Sequence, residues 1–468
     1  MHRNVENNSY VNPDDTYKDI IDGHLEHGFT KDDRTGTGTI ATFVEQARYN
    51  LINGRSPRLT LKKMSDTPER EMLWFISGDT SIKSLRDQNI GIWNSWLIPG
   101  TAKHRPMTEE EVKKAITAQH KIKYGAEATT TFTQSPVWGS GDWGSESPAG
   151  HIENRELFYS DLASLHSYYN EISDKEPEVL IDGDIGPGGY GAQWRFWQDT
   201  QVVHSDEVDT YLSMGYASVG VAFENQSSGN GSFSGGVVMH RKVDQLKNAI
   251  ELLKTNPDSR RIIISAWNPA LIWKAALPPC HLYFQFISHE LPLSQRVRIF
   301  NDRTELMQRD MKLEEVRTGR VMTSLVEWHF MDLERLRLAG KSDEEIHADL
   351  DTLGIKRRGL NCFLLLRSND LGLGQPFNVA QYASLTHMVA QCVEMEPMEL
   401  AWTAVDAHIY SNHVEALEEQ LDISSIECIP RIRLNPKVMH IDGFTIDDIT
   451  VIDYESHAPM HSKMPVAV

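Results

Sequence analysis

The feature that most constrains this chain is the irregular order of its apolar runs. RRIIISAW (260–267) has the β-branched content of a buried strand. LPPCHLYFQF (277–286) becomes strand-like after its two prolines, and FLLLRSND (363–370) reads as another strand. Helical patterns lie around them at uneven intervals: residues 15–29, 67–88 and 244–255, and a long, mostly apolar stretch at 378–395. Strands and helices mixed without regular βαβ alternation predict an α+β fold instead of a doubly wound sheet. The sequence shows no internal repeat.

Three regions break this pattern. Residues 101–180 carry a surface-type helix opened by a capping box from Thr108 to Glu111, then a Gly/Ser-rich stretch at 138–150 expected to form a loop, then a possible helix over 154–175. Residues 204–238 include NQSSGNGSFSGG and read as a loose segment. Residues 288–358 end in a helical stretch with a second capping box, Ser342 to Glu345.

A net charge of −20 over 468 residues would repel a polyanion, which argues against nucleic-acid binding. A small anion remains possible, because converging arginines act locally through charge-assisted bonds while the global field is screened. No apolar run approaches the roughly 20 residues of a membrane helix, and MHRNVENNSYVNPDDTYK lacks a signal peptide's apolar stretch, so cytoplasm is the expected compartment. The four cysteines, Cys280, Cys362, Cys392 and Cys428, form no C-x-x-C pair, which argues against a zinc or dithiol site; no metal is expected.

Cys280 alone among them has a suggestive context. Pro278 and Pro279 stiffen its approach, as a positioned nucleophile requires, although a buried thiol beside a proline turn is the ordinary alternative. A thiolate would need a cation nearby. Arg34 lies in the Gly/Thr turn DDRTGTGT, Arg260 and Arg261 open a strand, and Arg367 ends another beside Ser368. These placements suit a phosphate site, though each alone also suits a surface ion pair. Glu71 precedes the apolar Met72-Leu73-Trp74-Phe75, where burial would raise a carboxylate's pKa toward a value useful for proton transfer. Asn378 stands at an expected helix start, as a cap or as an amide able to pair with the uracil O4 and N3–H edge. His408 and Tyr410 in DAHIYSNH are candidate sugar ligands or interior polar groups. Trp93 and Trp96 are candidate stacking surfaces or core residues.

Together these segments resemble the thymidylate synthase family. The matching blocks are DRTGTGT, EMLWFISGDTSIKSL, IGIWNSW, YGAQWRFW, TNPDSRRIIISAWNP, LPPCHLYFQF, RSND, PFNVAQYASLTHMVAQ, DAHIYSNH and the terminal MPVAV, in the family's order from about residue 15 to the last. The resemblance implies a single catalytic domain with insertions at about 101–180, 204–238 and 288–358, built on a large mixed β-sheet packed with helices, one sheet face forming a homodimer interface. It implies that Cys280 attacks carbon 6 of dUMP. Arg34, Arg367 and Ser368 would hold the phosphate, with Arg260 and Arg261 contributed from the other subunit. Asn378 would read the uracil, His408 and Tyr410 would hold the sugar 3′-hydroxyl, and Glu71 and Tyr190 would handle protons. The co-substrate would be 5,10-methylenetetrahydrofolate, held by Asp370 and Gly374, with Trp93, Trp96 and Phe377 packing around it and Val468 closing a lid.

Departures from the family pattern bear on the product. GPGGYG (186–191) has one residue more than the usual Gly-Pro-Val-Tyr-Gly, which puts the place of Tyr190 in question. Leu366 replaces a Gln, Gln381 a Ser, and Ile287 and Ser288 a Tyr-Val pair. Phage relatives with such long insertions add water instead of hydride and make hydroxymethyl pyrimidines; a phage-encoded chain would work in the host cytoplasm. Asn378 argues for uracil over cytosine. Trp93, Trp96 and the terminal lid argue for a dry site, hence methylation. Three readings follow: thymidylate synthase, deoxyuridylate hydroxymethylase, and a catalytically inactive dimeric binding protein.

Overall fold

The computed structural model describes residues 11–33, 35–124, 128–132, 155–159, 162–173, 175–223, 235–318, 330–459 and 464–465. Among these, thirteen α-helices and a seven-stranded mixed sheet give the expected α+β class.

The sheet contains β1 (Phe29–Lys31), β2 (Thr39–Asn50), β3 (Ile263–Ser265), β4 (His281–Glu290), β5 (Arg358–Leu366), β6 (Asn369–Asp370) and β7 (Glu396–Tyr410). Its order is β1-β2-β7-β5-β4-β3, with β6 beside β7. Only β5 and β6 run parallel to β7; the other pairs are antiparallel. Period-two alternation gives each strand two faces. Along β5, Leu360, Cys362, Leu364 and Leu366 are buried, while Asn361, Phe363 and Leu365 face outward and stay partly exposed. The predicted strand over 363–370 is thus two pieces, β5 and β6, interrupted at Arg367 and Ser368.

Four helices position the residues of interest: α1 (Pro13–His27), α2 (Thr67–Ser77), α3 (Tyr190–Phe196) and α4 (Gly374–Cys392). The side chain of Asn12 caps α1 by accepting from the Asp14 N–H at 3.0 Å. Helix α4 is buried nearly all round, packed on β5, β7 and α2, which explains why its sequence is apolar without an amphipathic stripe. The predicted helix over 67–88 is broken after α2. Gly78 takes φ +75°, and a Cβ there would lie 2.5 Å from the Phe196 ring.

Residues 81–184 form a compact unit separate from the one formed by 1–80 and 185–468. Within it, Glu109–Tyr124 packs on Leu162–Ser173 through Val112, Ile116, Leu165 and Ile172. Its capping box forms as expected: Thr108 N–H donates to Glu111 Oε2 at 2.8 Å and Glu111 N–H returns to Thr108 Oγ1. The helix expected over 154–175 resolves into a strand, Arg155–Tyr159, and a helix, Leu162–Ser173. The loop expected at 138–150 lies outside the described residues.

The described residues within 204–238 are more regular than expected, while most of NQSSGNGSFSGG lies outside the described residues. Trp197–Val203, Gly235–Val243 and Ala217–Phe223 form a three-stranded antiparallel sheet in that spatial order. In the third region the second capping box forms, Ser342 with Glu345. Leu293, Val297, Ile346, Leu350 and Ile355 share a core with Ile52 and Met398, so this region is fastened to the sheet and not merely laid over it. Arg296, fully buried, donates to the Ile355 and Lys356 carbonyls.

Candidate functional site

Cys280 sits at the entry to β4, where the Pro278–Pro279 turn meets the sheet. Arg367, at the exit of the neighbouring β5, holds that turn. Its Nε donates to the Pro279 carbonyl at 3.0 Å and its Nη2 to the Pro278 carbonyl at 2.8 Å. The same Nη2 stands 3.5 Å from Cys280 Sγ, and the Arg367 N–H donates to the Cys280 carbonyl at 2.8 Å. Burial pushes the thiol's pKa up, and Arg367 and the Tyr190 hydroxyl oppose that without reversing it. The cation expected beside the thiol is therefore present, but within this chain burial prevails.

Tyr190, whose position the extra residue put in question, lies against Cys280. Gly186, at φ +90°, and Gly188, whose missing Cβ would lie 2.5 Å from the Leu271 carbonyl, let the loop turn tightly enough to absorb the insertion. The Tyr190 hydroxyl accepts the Cys280 N–H at 2.7 Å, and its ring stacks on Phe75 with centroids 4.8 Å apart. Burial holds the phenol's pKa well above its ordinary value, and the nearby Cys280 and Glu71 charges add to that.

Glu71 lies in α2, buried as expected, and Gln381 of α4 donates to its Oε2 at 2.9 Å. Sequence marked Gln381 as a departure but not its partner, because the two stand 310 residues apart. Asn378 is not a helix cap. Helix α4 starts at Gly374, so Asn378 sits a full turn inside and its amide does not cap the helix. Its Oδ1 accepts from Asn369 Nδ2 at 2.9 Å. His281, which follows the cysteine, bonds the Tyr382 hydroxyl at 3.1 Å. Burial drives its pKa to about 3, against a smaller opposing bond to Asn378, so it stays neutral.

A second cluster gathers at Asp370. Its Oδ1 accepts the Gly372 N–H at 2.8 Å and its Oδ2 the Leu373 N–H at 3.2 Å. Burial alone would raise this carboxyl, but His413, His408 and the Gly372 N–H outweigh it and hold it low. His413, fully buried, lies 3.6 Å from Asp370 Oδ1, and its Nε2 contacts the Pro465 carbonyl at 2.8 Å. Lys62 donates to the Gly372 carbonyl, and burial lowers its pKa to about 8 against the pull of Asp370. Neither His413 nor Lys62 was marked by sequence reasoning. His413 sits within the DAHIYSNH block, so proximity to His408 and Tyr410 was its one available signal. His408 is the register partner of Asp370, and its ring lies 5.0 Å from that of Tyr410. Phe377 is partly exposed, one residue before Asn378.

Arg260 and Arg261 are exposed on the segment leading to β3. Ser368 is partly exposed between β5 and β6. Trp93 and Trp96 belong to the 81–184 unit, where they pack edge to face with centroids 6.0 Å apart. Arg34 and Val468 lie outside the described residues. Among the described residues no cluster of His, Cys, Asp and Glu could hold a metal ion, and no helix is long and apolar enough to cross a membrane. The family model described as Thymidylate synthase matches residues 15–310 and 312–468.

Proposed function

The chain belongs to the thymidylate synthase family, and from that premise we propose that it methylates carbon 5 of dUMP to give dTMP. The observation that carries this reading is Cys280 Sγ held 3.5 Å from the Arg367 guanidinium on a turn tied at both carbonyls. Uracil C5 is a weak nucleophile. Addition of the Cys280 sulfur to C6 turns C5 into an enolate carbon able to form the new carbon–carbon bond. Loss of the C5 proton and elimination leave an exocyclic methylene on the base; its reduction and release of Cys280 complete the product. When bound, 5,10-methylenetetrahydrofolate supplies both the one-carbon unit and the hydride.

The chain's own groups fit that co-substrate. Asp370, held ionised and anchored by two backbone N–H groups, is an acceptor suited to the N–H edge of a pterin, and the partly exposed Phe377 packs on the same ligand. Gly374 and the segment ending at Val468 belong to this group, the latter as a lid, which the Pro465 contact to His413 supports. Glu71, steadied by Gln381, and Tyr190 move protons at the base. Asn378 reads the uracil edge, and His408 with Tyr410 hold the 3′-hydroxyl. Arg34, Arg367 and Ser368 bind the phosphate, Arg367 through the Nη1 that does not brace the proline turn.

Arg260 and Arg261 serve the active site of a second copy. Their exposure supports this, as do Phe43, Ile263, Ile287 and Val405, which leave apolar surface open on the sheet. In a homodimer the added positive charge would complete the field that Arg367 alone does not supply. The unit is one cytoplasmic catalytic domain whose insertions fall at about 101–180, 204–238 and 288–358.

One observation favours hydroxymethylation instead. Gln381 brings a buried carboxamide against Glu71, and its Oε1 accepts no bond from the protein, so it is equipped to hold a nucleophilic water. Incubation with dUMP and methylenetetrahydrofolate decides. We expect a methyl group by mass spectrometry and dihydrofolate by absorbance. A hydroxymethyl product without dihydrofolate selects the second reading, and nucleotide recovered unchanged supports the inactive binding protein.

A further inference from the structure

We propose that Trp402, acting through Asn369, fixes the orientation of the Asn378 carboxamide and so makes the site read uracil instead of cytosine. The inference rests on the dUMP reading above and goes beyond it, because it assigns selectivity to two residues that do not touch the base.

Trp402 Nε1–H donates to Asn369 Oδ1 at 3.1 Å, and Asn369 Nδ2 donates to Asn378 Oδ1 at 2.9 Å. Trp402 is fully buried in β7, and Asn369 is 5% exposed in β6. An amide can be turned over to exchange its donor and acceptor, but an indole N–H is a donor only. Asn369 must therefore show Trp402 its oxygen and Asn378 its NH₂. Asn378 must in turn present Oδ1 to Asn369. The Asn378 Nδ2 carries two N–H donors, one of which can meet the neutral His281; the other, with the remaining lone pair of Oδ1, matches the O4 acceptor and N3–H donor of uracil. Cytosine presents the reverse pattern at both atoms. Turning Asn378 over to suit cytosine would set two NH₂ groups face to face, and turning Asn369 as well would move the clash to the indole.

Space for the relay is reserved at Gly374. A Cβ there would lie 2.8 Å from Asn369 Nδ2 and 3.6 Å from Asn378 Oδ1, crowding the second hydrogen bond. A buried mispaired polar contact costs a factor of about 10 to 100 in binding, which is the selectivity the relay can enforce.

Two positioning variants test this on the full-length protein, with dUMP and dCMP titrated by calorimetry in the absence of folate so that turnover plays no part. Circular dichroism checks that each variant is folded. Asn369→Asp replaces the NH₂ facing Asn378 with an acceptor, which should turn the Asn378 amide and invert the preference toward dCMP. Trp402→Phe keeps an aromatic ring but removes the donor that pins the relay, and should lower the dUMP-over-dCMP ratio by about 10-fold. A purely structural role would weaken both nucleotides together and leave the ratio unmoved, and that result overturns the relay. A wild-type protein that binds neither nucleotide overturns the dUMP reading and the relay with it. A wild type that prefers dUMP beside variants with the same preference overturns the relay alone. If Asn369→Asp does not fold, the Trp402→Phe ratio decides by the same criterion.

Discussion

Cys280 and the Arg260–Arg261 pair stand at the ends of neighbouring strands, yet their surroundings are opposite. Around Cys280, Arg367 grips two carbonyls, Tyr190 takes the cysteine N–H, and Asn378, Asn369 and Trp402 form a continuous series of bonds. At Arg260 and Arg261 the side chains are exposed. Groups that must be placed to within fractions of an ångström are locked before any ligand arrives, while groups meant for another molecule stay solvated, because burying an unpaired charge in advance would be costly. On this view one chain holds a half-built anion site and displays the complementary half for a neighbour.

The most severe way to break that contrast is to remove one half at a time. Cys280→Ala should lower turnover by roughly 10⁴-fold or more with dUMP binding retained. Arg261→Ala should raise the KM for dUMP about 10- to 100-fold through loss of charge-assisted bonds. Mixing the two variants should restore turnover, because one mixed dimer then contains an intact site. Recovery no greater than that of either variant alone would mean that each chain uses its own arginines.

A smaller effect sharpens the locked side. Tyr190→Phe leaves the partly buried Cys280 N–H without its acceptor and should cost about 1 kcal/mol of unfolding free energy, with kcat down about 10-fold. Adding Arg261→Ala chains should not rescue it beyond the gain given by wild-type Tyr190 in the mixture. An unchanged kcat would show that the hydroxyl only fills space.

A last effect is in acid. His281 and His387 are buried and neutral, with pKa values pushed down by desolvation from the ordinary 6.5 to about 3 and about 4. Unfolded, each takes a proton below about pH 6.5; folded, neither does until far lower. Their contribution is therefore full above pH 6.5 and declines as pH falls, by about 1.4 kcal/mol per unit for each. His413, raised by Asp370 despite burial, works in the opposite sense and offsets part of this. The urea midpoint should fall from pH 7 to pH 5, and less steeply in His387→Gln, whose amide can still reach the Arg55 carbonyl that His387 contacts. Equal slopes would assign the acid sensitivity to carboxylates elsewhere.

What could be read in advance follows the range of the interaction. Local signals served well. Both capping boxes formed, and the apolar runs became strands near their expected places, because these depend on neighbours within a few residues. Asn378 was misplaced because the start of a helix with no capping side chain leaves little trace; Leu373 precedes Gly374 with no such bond. Residues 204–238 looked loose because glycines and serines dilute the alternation that Val219 and Val221 carry within Ala217–Phe223. Gln381 with Glu71, Lys62 with Gly372 and Trp402 with Asn369 join different elements, and nothing local announces them. The candidate site was thus legible as a set of residue types, while the bonds that orient those residues were not.

The His413 bond to the Pro465 carbonyl carries a practical consequence for handling the protein. A purification tag fused after Val468 would follow closely on Pro465, which is bound to His413, the ion-pair partner of Asp370, so its bulk or charge would bear on that cluster. A tag placed ahead of Pro13 instead adjoins α1, whose cap is made by Asn12 alone, and is the safer choice for kinetic work.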